Sequence, residues 1–203
     1  MPAGSGRWPV AGLLVILCAA RLAALDVHNG DFVFQSLPHA ALIDAIEAAT
    51  ASPWSHCGIV VVDGDSIQVI EAIGPVQFTD FKEWQGRGRD GKIAVTRLKD
   101  ASVIPAMIAQ AKTMLGKPYD IHYAMDDEKI YCSELIYKSF LLATRQEIAA
   151  PVALGDLNWQ PAEQVIRSIE GGALPLDRIM VTPVAVAKST LCEVIYDDFA
   201  EKP

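Results

Sequence analysis

The sequence predicts an α+β fold, a small antiparallel sheet with flanking helices. Three observations predict it. Apolar, β-branched runs at 56–62 and 67–73 are separated by Asp63-Gly64-Asp65, a tight turn that makes the two strands antiparallel neighbours. Helix-periodic segments at 37–50, 102–115 and 133–144 flank such strands. The 203 residues are 51% hydrophobic and 21% charged, which suits one domain with a sizeable core and excludes a disordered chain.

The elements follow in order. Asn29-Gly30-Asp31 is a turn signal leading into a strand at 32–34. Leu42, Ile43, Ile46 and Ala49 give 37–50 an amphipathic helical stripe, broken by Ser52-Pro53-Trp54. The hairpin at 56–73 comes next. Segment 86–91 is polar and glycine-rich, and reads as a loop before a strand at 93–98. The helix at 102–115 stops at Gly116, with Pro118 beyond it. Segment 161–169 reads as a short helix with proline at its first position. Segments 179–186 and 191–196 read as strands, the first an edge because of Pro183. No repeat or low-complexity stretch interrupts the chain.

The N-terminus reads as an export signal. Arg7 precedes an apolar stretch at 10–20, followed by small residues at Ala19, Ala20, Ala23 and Ala24. That stretch is short of the roughly 20 apolar residues a spanning helix needs. The expected division is a signal at 1–24 and one domain at 25–203, giving a periplasmic or secreted protein. An uncleaved anchor, holding the protein near a membrane, is the second reading. Lys and Arg number 17 against 25 Asp and Glu, a net charge of −8 that argues against a nucleic-acid partner. Beyond residue 24 three cysteines remain, Cys57, Cys132 and Cys192. Outside the cytosol an odd count allows one pair and one free thiol.

Three positions carry the chemistry. His56 opens an apolar strand and shares a face with Gly58, which is read as leaving open space beside the imidazole. Cys57 points to the other face. Glu71 stands in an aliphatic strand, where a carboxylate is costly to bury unless paired. One hairpin strand from His56, it is placed to orient the ring. Cys132 begins a helix, whose N-terminal N–H groups and partial positive charge favour a thiolate and an oxyanion. Each has a plainer alternative: a core histidine, a solvent-facing glutamate, an inert core cysteine. Together they form the layout of thiol nucleophilic catalysis, in the chain order His, Glu, Cys.

Five ordered motifs carry a resemblance to a known family. They are Gly30-Asp31-Phe32-Val33-Phe34, Ser55-His56-Cys57-Gly58-Ile59, Val69-Ile70-Glu71-Ala72, Gly116-Lys117-Pro118-Tyr119-Asp120 and Tyr131-Cys132-Ser133-Glu134-Leu135. The chain resembles the permuted papain-like amidases of the NlpC/P60 superfamily, in particular the YiiX/YaeF-like group, over roughly 29–142. The resemblance implies a circularly permuted papain-like fold, with Cys132 as nucleophile, His56 as base and Glu71 as third member. Cys57 departs from the pattern, since an aliphatic residue is expected there.

The chemistry so implied is acyl transfer through a thioester, needing no cofactor and no metal. Tyr119, Tyr123 and Tyr131 are candidates to hold substrate or oxyanion; His122 is a weaker neighbour of the cleft. Asp126, Asp127 and Glu128 lack the spacing of a calcium loop and read as a solvated turn. Cys192 reads as a core or disulfide cysteine. The substrate classes in view are a peptide or other amide and, through a further likeness to lecithin:retinol acyltransferase-type enzymes, an acyl lipid. Trp54, Ile73, Phe78, Phe81 and Trp84 are the apolar residues proposed to meet an acyl chain. A binding module without turnover is the third reading. Segment 151–203 is expected to complete the sheet and wall the cleft, and the sequence gives no basis for an oligomeric state.

Overall fold

A computed structural model describes residues 25–200. The export-signal reading falls on 1–24, outside the described residues. In chain order the elements are β1 (Phe32–Gln35), α1 (Ala41–Thr50), β2 (His56–Asp63), β3 (Ser66–Ala72), β4 (Val76–Asp80), α2 (Phe81–Arg87) and β5 (Ile93–Leu98). There follow α3 (Ile104–Thr113), α4 (Cys132–Thr144), β6 (Val152–Ala153), α5 (Glu163–Ile169), β7 (Ile179–Met180), α6 (Pro183–Ala187) and β8 (Cys192–Asp197). Six strands form one sheet in the order β4-β3-β2-β1-β5-β8, every neighbouring pair antiparallel. β6 and β7 pair separately. The α+β class and the antiparallel sheet are as the sequence predicts.

The two faces of the sheet bury different cores. Phe32, Phe34, Cys57, Ile59 and Ile70 face α3 and α4, whose Met107, Ala111, Leu135 and Ile136 complete the larger core. Val33, Val60, Val69 and Val95 face the other way, beneath Phe81 and Trp84 of α2. Strand alternation sorts the residues so. A buried ion pair locks one end of β1 to β5: Arg97 meets the fully buried Asp31 through Nε at 2.7 Å and Nη2 at 2.8 Å. Gly30 before it has φ +85°, and a Cβ there would stand 2.5 Å from Ile104.

Several sequence expectations are corrected. The helix expected at 37–50 begins at Ala41, because Pro38 and the extended Ala40 precede it. Segment 76–87 holds a strand and a short helix that the sequence reading missed. α2 is capped by Asp80, whose carboxylate accepts the Lys82 and Glu83 amides. The strand expected at 179–186 stops at Met180. Pro183 instead opens α6, where Thr182 Oγ1 accepts the Ala185 amide at 3.2 Å. The short helix at 161–169 is a 3₁₀ turn followed by α5.

Gly58 does not leave open space beside His56. A Cβ there would lie 2.4 Å from Val69 Cγ1 and 2.8 Å from the Ile70 carbonyl oxygen. The glycine is required by close packing of β2 on β3. Gly58→Ala is therefore expected to destabilise the fold by about 1–3 kcal/mol, as overpacking does. Thermal unfolding should show a Tm lower by about 2–4 °C per kcal/mol, and an unchanged Tm would contradict the packing argument.

Candidate active site

His56 pairs in register with Gln35, and Gly58 with Glu71. Residues two apart on a strand share a face, as do direct cross-strand partners. Glu71 is thus the diagonal neighbour of His56, and its Oε2 lies 2.6 Å from His56 Nε2. Both side chains are buried, Glu71 completely.

Glu71 has two further partners. The Thr79 hydroxyl on β4 donates to Oε1 at 2.5 Å. Arg87 Nη2, at the end of α2, donates to Oε1 at 2.7 Å and Oε2 at 2.5 Å. Sequence reasoning passed over Arg87 by reading 86–91 as a loop. The available signal was that a buried carboxylate needs a cation, and that segment carries two arginines. Burial would raise the Glu71 carboxyl, but the bonds from His56, Arg87 and Thr79 outweigh it and bring it down to about 2.

Cys132 is the first residue of α4, after Tyr131 in extended conformation. Glu134 anchors this helix start by accepting the Tyr131 amide at 3.2 Å and pairing with Lys138 at 3.0 Å. Burial pushes the Glu134 carboxyl up to about 7. Cys57 and His56 are the neighbours whose groups shift Cys132. Glu71 occupies Nε2 of His56. The Cys57 hydrogen bond, against the opposing effect of burial and with support from His56, holds the Cys132 thiol well below its ordinary range. Burial alone would lower His56, yet Cys132 and Glu71 raise it to about 9. Burial and then the adjacent Cys132 push the Cys57 thiol well up. These directions favour a thiolate at Cys132 and an imidazolium at His56, with the Cys57 thiol protonated.

Cys57 lies on the face opposite His56, as the alternation predicts. That face is the one α4 covers, so Cys57 joins the site instead of leaving it. All three described cysteines are free, with Cys192 buried on β8.

The tyrosines divide. The Tyr131 hydroxyl accepts the Val181 amide at 2.8 Å and is buried. The Tyr119 and Tyr123 hydroxyls lie 3.2 Å apart. Tyr123 and Cys132 both line a cavity of about 760 Å³, counting its open mouth. Leu42, Ile46 and Ala49 of α1 form one wall, and Val165, Ile166 and Ile169 of α5 another. His122 also lines it, bonded to Glu170 at 3.0 Å, and Glu170 pairs with Arg178 at 2.5 Å. Trp54, Ile73, Phe78, Phe81 and Trp84 are absent from its lining; Phe81 and Trp84 belong to the opposite core. Asp126 accepts the Glu128 and Lys129 amides, consistent with a solvated turn.

The chain has known relatives. The model of the permuted papain-like amidases, the YaeF/YiiX, C92 family, matches residues 26–196. The chain belongs to this family. It is 31% identical to the uncharacterized protein YiiX of Escherichia coli (strain K12) over 179 residues, covering 86% of this chain and 88% of that protein. The crystal structure titled metalloprotein yiiX from Escherichia coli O157:H7 superposes with a TM-score of 0.79 at 29% identity. That match covers 85% of this chain and 98% of the other. The fold is therefore the permuted papain-like one.

The Glu71 network sets a pH dependence. A carboxylate depressed in the folded state stabilises the fold fully above its unfolded value, and that contribution fades as pH falls toward the folded value. Arg87→Leu is expected to destabilise near neutral pH by less than the roughly 3–5 kcal/mol of a fully buried broken pair, since Arg87 is 27% exposed. Its deficit should shrink in acid, and its acid-unfolding midpoint should move to higher pH. Urea titrations of both proteins across the acid range measure this, and a pH-independent deficit would contradict it.

Proposed function

We propose that this protein is a cysteine hydrolase that cleaves an amide bond through Cys132, His56 and Glu71. The observation that carries the reading is one buried ring, His56, held by Glu71 at 2.6 Å on Nε2 and shifted upward by both Cys132 and Glu71. Membership in an amidase family agrees with it.

In this reading the Cys132 thiolate attacks the carbonyl carbon. The oxyanion forms where the first N–H groups of α4 lack intrahelical partners, with Tyr123 the tyrosine lining the same cavity. The His56 imidazolium gives its proton to the leaving amine, which departs and leaves a thioester. Neutral His56 then takes a proton from water as it attacks the thioester. Collapse expels the thiolate, and His56 is again protonated. Glu71 keeps the ring oriented and favours its charged form throughout. Arg87 and Thr79 hold Glu71. An exported location, which the N-terminal segment suggests, is part of the proposal.

The E. coli O157:H7 relative is titled a metalloprotein. Among the described residues no three His, Cys, Asp or Glu side chains converge as a metal site. His56 spends Nε2 on Glu71, and the Glu71 oxygens are taken by Arg87 and Thr79. These residues do not fit a metal centre, and no step is routed through one.

The cavity favours a second reading for the substrate, an acyl amide or ester in place of a peptide. Its α1 and α5 walls are largely aliphatic, with His122, Glu170 and Arg178 also on the lining, and Cys132 borders it. An apolar chain seated between α1 and α5 would bring its carbonyl to the sulfur.

Cys132→Ala is expected to lower turnover by at least about 10³-fold with the fold retained by circular dichroism. The pH profile of kcat/KM should be a plateau, rising on the acid side as the depressed Cys132 thiol ionises and falling on the alkaline side near 9 as His56 loses its proton. Iodoacetamide labelling of Cys132 should be rapid well below the ordinary thiol range of about 8.5, and lost in His56→Ala. A normal thiol profile, unchanged by that substitution, would end the proposal. For the acyl reading, Ala49→Trp should raise KM for long-chain acyl amides by about tenfold while sparing short-chain ones. An equal effect on both would favour a peptide substrate.

A further inference from the structure

A second histidine–carboxylate pair stands on the wall of the cavity that Cys132 borders, and the hydrolytic mechanism does not use it. His122, Glu170 and Arg178 all line that cavity. His122 Nδ1 lies 3.0 Å from Glu170 Oε1. Arg178 grips the same carboxylate, Nη1 on Oε1 at 2.5 Å and Nη2 on Oε2 at 3.0 Å. A carboxylate held by a guanidinium is ionised and only accepts, so Nδ1 of the neutral His122 ring carries the proton. Nε2 is left with its lone pair. Among the described residues, the bond to Glu170 is the ring's one hydrogen bond. The backbone is fixed as firmly as the ring. Buried Asp120 accepts the His122 amide at 2.9 Å and the Ala124 amide at 2.6 Å. Arg178 Nη1 donates to the His122 carbonyl at 2.6 Å. Tyr123, next in the chain, has φ +55°, the left-handed region that residues with a side chain seldom adopt. Its ring packs on Tyr131, 5.1 Å between centroids, and Tyr131 directly precedes Cys132.

We propose that His122 is a specificity residue, whose Nε2 accepts a hydrogen bond from the N–H of an acyl amide with its chain between α1 and α5. Its place in a reaction rests on the hydrolase reading; the binding preference does not. It selects the amide over the ester of the same acyl group. The chemistry of the wall makes that selection. Both Glu170 oxygens are filled, by His122 and Arg178. Arg178 is turned onto Glu170 and the His122 carbonyl. The open position on the His122 ring is an acceptor, and an acceptor needs a donor. A primary or secondary amide brings an N–H to it. An ester or a tertiary amide brings none, and leaves the Nε2 lone pair without a partner once the ligand has displaced water. A carboxylate sets its own lone pairs and charge against that nitrogen. The chain has its partners in Ile46 and Ala49 of α1 and Ile166 and Ile169 of α5, on the same lining.

The test is calorimetric titration of Cys132→Ala, in which no turnover interferes, with octanamide, N,N-dimethyloctanamide and octanoate. Octanamide is expected to bind about fivefold more tightly than the dimethyl amide, the worth of one hydrogen bond. With His122→Phe added, the two amides should bind alike. With His122→Gln, whose side-chain oxygen also accepts, part of the preference should return. Long-range proton–nitrogen NMR spectra of Cys132→Ala supply a reading that needs no change at position 122. The His122 ring should be the Nδ1–H tautomer, and its Nε2 signal should shift with octanamide and not with the dimethyl amide. Equal binding of the two amides, or a preference that survives His122→Phe, would overturn the inference. So would tighter binding of octanoate, or no binding of any of the three. Turnover of octanamide by the unaltered chain without an amide preference removes this inference and spares the hydrolase reading. A preference set by His122 with no turnover of any amide removes the hydrolase reading and spares this one.

Discussion

A single negative charge buried in a sheet organises this structure. Glu71 is wholly buried in a strand whose other residues are largely aliphatic. A carboxylate there is tolerable only if its oxygens are filled. β4 supplies Thr79, α2 supplies Arg87, and β2 supplies His56. The requirement explains why α2 folds over this face and ends where it does. It also explains why the imidazole cannot rotate: Nε2 is tied to Glu71, and the ring's other edge is presented to the helix carrying Cys132. The fold and the chemistry share one electrostatic constraint.

β2 is where the sheet's two sides converge on one atom. His56 and Cys57 are adjacent in sequence and face opposite ways, yet both shift Cys132. The sulfur of a residue at a helix start stands at the strand's end and meets both. The imidazole stabilises the thiolate through charge and the second thiol through a hydrogen bond, and the helix N-terminus adds its partial positive charge.

Much of this was legible in the sequence, for reasons that can be named. The hairpin from 56 to 73 was legible because a tight turn and strict strand spacing leave little freedom. His56, Glu71 and Cys132 were legible because each is a chemically unusual choice in an apolar or helix-start position. Arg87 and Thr79 were hidden: Thr79 lies on β4, a short strand not read from the sequence, and Arg87 ends α2, a short, glycine-containing helix without a long apolar period whose end read as loop. Segment 179–186 misled because Val and Ile suit strands, while the Thr182 cap and Pro183 decide for a helix only once β7 has been paired. Cys57 was assigned to the correct face of the sheet, but which face α4 covers is a tertiary fact that alternation does not reveal. The residues lining the cavity come from α1, α5 and the loops near them, far apart in sequence, and no local pattern joins them.

α1 has an apolar stripe and not one fully buried residue. Its stripe borders the cavity, and the helix is otherwise tied at its ends and edges, by Glu47 to Ser36 and Arg89 and by the Ala48 and Ala49 carbonyls to Asn158. Most helices take their stability from a core that is always present. This one borders a cavity instead. A molecule filling that cavity would supply the missing hydrophobic partner, so its binding and the order of α1 would be thermodynamically linked, and amide exchange in α1 would slow on binding. The helix would then report occupancy of the cavity it borders.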